Sequence, residues 1–324
     1  MKKILVTGGA GFIGSNLCEH LLKIGYEVIC LDNFSTGHMS NIQHLLNNFP
    51  THFTLIEGDI RNLETCIRAS KGVDSILHEA ALGSIPRSID DPITTNDVNI
   101  GGFLNMLVAA KDNNVKRFIF AASSSTYGDS TELPKVEDRI GRPLSPYALT
   151  KYVDELYAEV FAKTYGIEYI GLRYFNVFGR RQDPDSTYAA VIPLFIKQYL
   201  NHQQPKINGD GLYTRDFTYI DNVIHMNMLA LNTVNPSSIN QINNTACGEQ
   251  ITIIKLAHLI KTYLSQYDSY VSTIDPINGP YRLGDIPHSF ACIDKAKLLL
   301  GYKPLISFKE GLINTIEWYV NNHI

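Results

Sequence analysis

Short runs of aliphatic and β-branched residues punctuate the first half of the chain. Longer stretches with apolar residues three and four apart separate them. KILVT, EVICLD, FTLIEGD, DSILHEAA, RFIFAAS and EYIGLRYF read as strands. They are nearly continuous apolar runs rather than alternating ones, the pattern of strands covered on both faces. FIGSNLCEHLLKIG carries apolar positions at helical spacing and stops at Gly25. Further helical segments fall near 38–48, 62–70, 94–113 and 145–165. Strand–helix alternation of this length predicts an α/β fold with a doubly wound parallel sheet. After about residue 176 the rhythm changes. Loops rich in Pro, Gly, Asp and Tyr (GRRQDPDSTY, NGDGLYTRDFTYIDN, PINGPYRLGDIPHS) alternate with short helices near 187–200, 252–266 and 307–322. There is no Ser/Gly linker, repeat or low-complexity tract. The expected organisation is one domain over residues 1–176 and a smaller ligand-binding lobe over most of 177–324. Some segments of the lobe should return to the first domain, with the ligand between the two.

Composition narrows the function classes. The 324 residues are 44% apolar and 19% charged, with a formal net charge of -4, which is ordinary for a globular protein. No Lys/Arg cluster runs along a predicted face, so neither nucleic acid nor an anionic membrane surface is an expected partner. No apolar stretch reaches the roughly 18 residues needed to span a bilayer. The opening MKKILVTGG has a short apolar part that runs straight into a glycine loop, which reads as a first strand and not as a signal peptide. The five cysteines (Cys18, Cys30, Cys66, Cys247, Cys292) are odd in number and scattered, without a C-x-x-C. They read as core residues in a reducing compartment, and the expected location is the cytoplasm.

VTGGAGFIGSN follows the first strand and opens the first helix. Gly8, Gly11 and Gly14 form G-x-x-G-x-x-G, and Gly9, Gly11 and Gly14 also satisfy G-x-G-x-x-G. Such glycines permit a tight turn, a close backbone approach to a pyrophosphate, and tight helix–sheet packing. The pyrophosphate then lies at the positive end of the helix. Asp32 ends the second strand, 18 residues after Gly14. A carboxylate there accepts from both ribose hydroxyls and repels a 2′-phosphate, which favours NAD over NADP in a Rossmann-type domain. Asp59 and Ile60, after the third strand, are placed to bracket the adenine, although a plain loop aspartate would look the same.

LSPYALTK supplies Tyr147 and Lys151, four apart on one helix face, with Ser145 as cap and Pro146 in the first turn. A free tyrosine titrates near pH ~10 and is a poor base at neutrality. A neighbouring ammonium, the helix N-terminus and a cationic nicotinamide all favour its phenolate. Lowering its pKa by about three units takes roughly 4 kcal/mol of differential stabilisation. Y-x-x-x-K alone is usually an amphipathic helix with a buried Tyr and a solvated Lys. It gains meaning from the dinucleotide loop upstream and from the hydroxyl-rich strand end, AASSSTYGD, about 25 residues before the tyrosine.

These features together resemble the extended short-chain dehydrogenase/reductase family, and within it the nucleotide-sugar 4-epimerases. The resemblance spans nearly the whole chain through TGGAGFIGSN, LDNFSTG, GDIRN, HEAALGSIPRS, SSSTYGD, SPYALTK, LRYFNVFGRRQDP, RDFTYIDN and RLGDIPHS. It implies NAD held tightly in the first lobe, by Gly8, Gly11, Phe12, Ile13, Gly14, Asp32, Asn33, Ser35, Thr36, Gly37, Asp59, Ile60, Ala80, Ala81, Asn99, Tyr147, Lys151 and Tyr174. It implies a UDP-sugar bound across the second, and a homodimer formed through the helical segments near 94–113 and 145–165. The family's catalytic hydroxyl stands four residues before the Tyr of the YG pair, which gives Ser123 as partner of Tyr147 and Lys151. Sugar 4,6-dehydratases carry an Asp–Glu pair where this chain has Ser124 and Ser125, because elimination of water needs a general acid and a base. Related decarboxylases commonly place a Glu nearby. Hydroxyls cannot fill those roles at neutral pH, which points to oxidation at C4 followed by return of the hydride. Ser124 and Ser125 read equally well as groups that satisfy backbone at the strand end.

The resemblance also implies substrate contacts from Gly83, Ser84 and Arg87, and from Asn176. Arg215 and Arg282 are the expected diphosphate clamps, since the guanidinium fork suits phosphate oxygens. Asp285 would hold a ribose hydroxyl or position Arg282. Some relatives place an Arg where this chain has Gln250, which weakens or removes one diphosphate contact. A bulky Tyr that closes the sugar pocket in hexose-restricted relatives corresponds to Ser289, which leaves room for an N-acetyl group. Ser289 could equally serve only to turn its loop. His78, Glu79 and His288 lack metal-ligand spacing, and no metal is expected. The expected activity is 4-epimerisation of UDP-N-acetylglucosamine to UDP-N-acetylgalactosamine, for bacterial surface polysaccharide such as lipopolysaccharide. The alternatives are the same reaction on a UDP-hexose or a UDP-hexuronic acid, or a catalytically silent NAD- or sugar-nucleotide-binding regulator.

Overall fold

The computed structural model describes residues 2–281 and 286–322. The six apolar runs of the first half all form strands: β1 (Lys3–Thr7), β2 (Glu27–Asp32), β3 (Phe53–Glu57), β4 (Ser75–His78), β5 (Arg117–Ser123) and β6 (Glu168–Tyr174). A seventh, β7 (Gln241–Thr245), pairs with β6. The seven strands make one sheet in the order β7-β6-β5-β4-β1-β2-β3, and every pairing is parallel. The chain runs outward from β1 to β3 and then restarts on the other side of β1 with β4. This is the Rossmann-like, doubly wound arrangement, with its switch point between β1 and β4.

Side chains alternate across the sheet and feed two separate cores. Ile4 and Val6 of β1 lie in one core with Leu17 and Leu21 of α1 (Phe12–Lys23), while Leu5 lies in the other. The second core gathers residues from α2 (Leu63–Ala69), α3 (Gly102–Asp112) and α4 (Pro146–Tyr165), including Cys66, Phe103, Met106, Ala158 and Phe161. Both faces are thus covered, which is why the strands read as unbroken apolar runs.

Two elements that complete the sheet and its cover were not legible as such in the sequence. The helix α5 (Ile220–Asn232) packs on the first face, and β7 extends the sheet edge from a position well beyond residue 177. Both carry fully buried asparagines that break the apolar pattern. In α5, the Asn222 amide donates to the Ile306 carbonyl (2.7 Å) and accepts from the Leu305 and Ile306 amides (2.7 and 3.0 Å). In β7, QINNT looks like a turn, yet Asn243, Asn244 and Thr245 are all buried. Asn244 accepts from the Tyr127 hydroxyl (2.7 Å) and donates to the Lys135 and Cys292 carbonyls (3.0 and 2.9 Å). Its backbone amide donates to Glu137 (2.8 Å). These polar side chains fasten the sheet edge to the segment 127–137 and to Cys292, and α5 to Leu305 and Ile306.

Asn244→Ala should leave a buried hydroxyl and two buried carbonyls without their partner, and lower stability by about 2–4 kcal/mol. Urea unfolding should show the midpoint fall at unchanged slope. A loss within about 0.5 kcal/mol, the range of ordinary surface substitutions, would contradict the fastening role.

Candidate active site

The switch point opens a crevice at the carboxyl ends of β1 and β4. Gly8 leaves β1 with φ +65°, and a Cβ there would sit 2.8 Å from the Ala80 backbone. A Cβ on Gly14 would sit 2.1 Å from the Gly8 carbonyl oxygen, so α1 lies directly on the strand-end turn. Gly11 occupies the cap position of α1 without a side-chain cap, which leaves the first-turn amides to face the crevice.

The cleft, about 320 Å³, is lined by Gly8, Gly11, Phe12, Ile13, Gly14, Asp32, Asn33, Ser35, Thr36, Asp59, Ile60, Ala80 and Ala81, all expected at the cofactor. Leu31, Gly58, Glu79, Leu82, Gly83 and Val98 complete it. Asp32 is buried at its floor. One carboxylate oxygen accepts from the Ala10 amide and the other from the Phe34 amide, each at 2.8 Å. Each oxygen keeps a lone pair for a further donor. Gly37 is not on the lining but packs beneath it, where a Cβ would come within 3.0 Å of the Asp32 carboxylate. Asp59 is held by Arg61 (2.7 Å) and by the Asn33 amide (2.9 Å), and the Arg61 hydrogen bonds are the main reason its pKa falls to about 2.

Asn99 and Tyr174 stand behind the lining. The Asn99 amide accepts from the Leu82 amide (2.8 Å) and donates to the Leu82 carbonyl (3.2 Å) and the Thr150 hydroxyl (3.0 Å). Its two donors are both used, so it braces the cleft wall against α4. The Tyr174 hydroxyl donates to Glu79 (2.9 Å) and accepts from Asn227 of α5 (2.8 Å). Burial pushes the Glu79 pKa up to about 8, against the pull of that hydrogen bond and of Lys151. Glu79 was weighed in the sequence only as a metal ligand. Its position just after β4, beside the switch point, was the signal that it borders the cleft.

Helix α4, which carries Tyr147 and Lys151, begins as its sequence dictates. Ser145 accepts from the Ala148 amide (3.1 Å), and Pro146 occupies the first turn. Tyr147 is half-buried and Lys151 is buried. The Lys151 ammonium donates to the Ala121 carbonyl of β5 (3.0 Å) and to Asp154 (3.3 Å). Burial works against its charge, but Asp154, Tyr147 and Glu79 outweigh burial and hold its pKa above the ordinary value. Ser123 is the last residue of β5, opposite Tyr174 in the pairing with β6. Its hydroxyl accepts from the Ser125 amide (3.1 Å) and from the Ser125 hydroxyl (2.9 Å). Ser123 therefore caps the short turn Ser124–Tyr127 and still has its own proton to donate. Ser124 opens that turn and is half-buried.

The residues expected at the sugar nucleotide fall into two groups. Gly83 reaches the cleft. Ser84 has φ +102° and caps the helix Ile85–Asp90 through the Arg87 amide (3.3 Å). Arg87 lies over the Tyr188 ring, 5.3 Å from its centre. Arg215, Gln250 and Ser289 gather around Thr214. Arg215 donates to the Thr214 carbonyl (2.9 Å), Gln250 to the Thr214 hydroxyl (3.4 Å), and the Ser289 amide to the Thr214 carbonyl (3.1 Å). Asn176, at φ +31°, donates to the Asp216 carbonyl (3.3 Å). Arg282 and Asp285 lie outside the described residues. Asp216 was missed, although its neighbour Arg215 in RDF was singled out. Its buried carboxylate accepts from the Cys247 and Gly248 amides (3.1 Å each) and the Ala291 amide (3.2 Å). It thereby joins three loops of the lobe. Burial raises its pKa to about 7 against those donors.

His78, Glu79 and His288 do not converge. His78 is bonded to Thr7 (2.8 Å) among Phe103 and Phe118, and burial lowers its pKa to about 3. His288 is bonded to Thr214 in the other lobe (3.0 Å). Among the described residues no group of three His, Cys, Asp or Glu is placed to hold a metal ion. No described helix is long and apolar enough to cross a membrane.

Residues 4–245 match the NAD dependent epimerase/dehydratase family. The chain is 38% identical to UDP-N-acetylglucosamine 4-epimerase from Methanobrevibacter ruminantium, solved in complex with UDP-N-acetylmuramic acid; the match covers 99% of each chain at a TM-score of 0.90. It is 35% identical to UDP-glucose 4-epimerase from Thermotoga maritima, solved with UDP-glucose, over 99% of this chain and 100% of that one, at 0.91. It is 33% identical to UDP-glucuronic acid 4-epimerase from Bacillus cereus, solved with UDP-glucuronic acid and NAD, over 99% of each chain, at 0.89. A cradle that any Cβ would fill, an amide-rich helix start and an anchored Asp32 suit a dinucleotide, so both the cleft and the match place this chain in the NAD dependent epimerase/dehydratase family, with NAD as its cofactor.

Proposed function

We propose that the protein catalyses the 4-epimerisation of UDP-N-acetylglucosamine to UDP-N-acetylgalactosamine. The observation that carries this reading is one hydrogen bond between the Tyr147 helix and the strand that ends in Ser123. Lys151 of the Tyr147 helix is hydrogen-bonded to β5 two residues before Ser123. NAD, when bound, supplies a reversible hydride acceptor, so that C4 is oxidised and then reduced on its other face. Tyr147 takes the 4-hydroxyl proton and returns it. Ser123, oriented by Ser125, donates to the oxygen at C4. Two of the three Lys151 donors are used within the protein, which leaves the third for a nicotinamide ribose hydroxyl. Arg215, together with Arg282, holds the diphosphate while the sugar turns. Ser124 and Ser125 offer no carboxylate for elimination, which favours epimerisation over dehydration. Residues 177–324 supply most of the sugar-nucleotide contacts.

The N-acetyl preference rests on Ser289, which lies beside Arg215 and Gln250 through Thr214, and on the 38% identity to an epimerase named for that sugar. The same reading makes the protein a homodimer through α3 and α4. Leu149, Leu156 and Val160 of α4 are exposed, as are Ile89 and Ile93 on the short helices packed against it. A monomer in light scattering would contradict the dimer.

The purified protein, incubated separately with UDP-N-acetylglucosamine, UDP-glucose and UDP-glucuronate, should give its highest kcat/KM on the first, with products followed by NMR. Ser289→Tyr should cut that value by about a hundredfold or more through overlap with the acetyl group. Turnover of UDP-glucose should persist. An unchanged ratio between the two sugars in the variant would remove Ser289 as the gate.

A further inference from the structure

We propose that Asp154 is a positioning residue for catalysis: its carboxylate aims the Lys151 ammonium and restrains the field Lys151 exerts on Tyr147, and so sets the lower pH edge of activity. The proposal rests on the assignment of Tyr147 as the proton carrier.

The pair is an i, i+3 contact within α4, at 3.3 Å, with side-chain exposures of 3% and 1%. Of the three Lys151 donors, one goes to the Ala121 carbonyl and one to Asp154. The carboxylate therefore fixes which way the remaining donor faces. The other Asp154 oxygen is buried and has no hydrogen-bond partner among the described residues. A buried carboxylate with one ionic contact and an idle oxygen is a weak structural fastener, since its desolvation is incompletely offset. The next residue shows what a fastener looks like here. Glu155 takes both its oxygens to Arg173 of β6, at 2.8 and 2.7 Å. Asp154 instead spends its charge on the lysine beside the reacting phenol.

The groups that face this pair are few. Tyr147 and Glu155 lie on the same helix, and Glu155 is neutralised by Arg173 of β6. Glu79 approaches Lys151 from the end of β4, and His78 beside it is kept neutral by burial. Asp154 is thus the close carboxylate opposing Lys151; burial raises its own pKa to about 7 against the pull of the lysine, so both of its charge states bear on the acid limb. With it ionised, the cation favours the Tyr147 phenolate less strongly, and the phenolate is a stronger base. With it neutral, the phenolate persists to lower pH and is a weaker base.

Asp154→Asn keeps the shape and removes the charge. The acid limb of the kcat/KM profile should move to lower pH by about one unit, with KM for the UDP-sugar unchanged, because Asp154 does not touch the substrate. The ultraviolet phenolate difference spectrum, read against Tyr147→Phe, should show the same displacement without turnover. Asp154→Glu restores the charge and should return the limb to its original position. A limb that stays put or moves to higher pH in Asp154→Asn overturns the proposal, as does a displaced limb in a folded Asp154→Glu if Asp154→Asn does not fold. If Tyr147→Phe keeps the limb, the failure lies in the Tyr147 assignment and not in Asp154.

Discussion

The structure depends on one close approach between two stretches of backbone. Gly14 of α1 rests against the Gly8 carbonyl so tightly that a single Cβ would reach 2.1 Å from the oxygen. That contact seats the helix start over the gap between β1 and β4, where the strand order reverses. The loop between the two glycines then spreads outward. The Ala10 amide anchors Asp32, and the Ala10 carbonyl accepts from the His38 amide (3.0 Å) and the Asn41 side chain (2.9 Å). The glycine end of the cleft and its Asp32 end are therefore set by the same turn. Replacing either glycine displaces both at once.

The contacts around Lys151 and the serine run are arranged by a different kind of force. Lys151 crosses from α4 to the Ala121 carbonyl, and the serine run folds back on itself at the end of β5. These are polar contacts inside the layer between helix and sheet, where each unmet donor or acceptor is expensive. In the second half of the chain, Asp216 does similar work by tying its own loop to amides from two others, at Cys247–Gly248 and at Ala291. A glycine-packed cradle for the cofactor thus meets a second half held by polar hubs.

Much of this was legible in the residues. The six apolar runs became strands because both sheet faces are covered, and the glycine loop, Asp32 and the Ser145 cap follow local rules that operate without tertiary context. What was not legible has two causes, distant partners and burial. The helix α5 and the strand β7 hide behind asparagines whose partners lie far along the chain, such as Ile306 for Asn222 and Tyr127 for Asn244. Single-sequence periodicity cannot see a partner more than 80 residues away. Asn99 and Tyr174 stand behind the cleft lining, bonded to Leu82, Thr150, Glu79 and Asn227. Glu79 and Asp216 stood inside motifs that had been quoted for their neighbours. Their significance comes from burial, which no motif records.

The central claim is that C4 of the sugar loses a hydride and regains the same one within one closed site, while Tyr147 handles only the hydroxyl proton. UDP-N-acetylglucosamine carrying deuterium at C4 separates this from proton-exchange routes. After conversion in ordinary water, mass spectrometry and NMR should find the deuterium still at C4 of UDP-N-acetylgalactosamine. Loss of the label to solvent, or its appearance at another carbon, would contradict it.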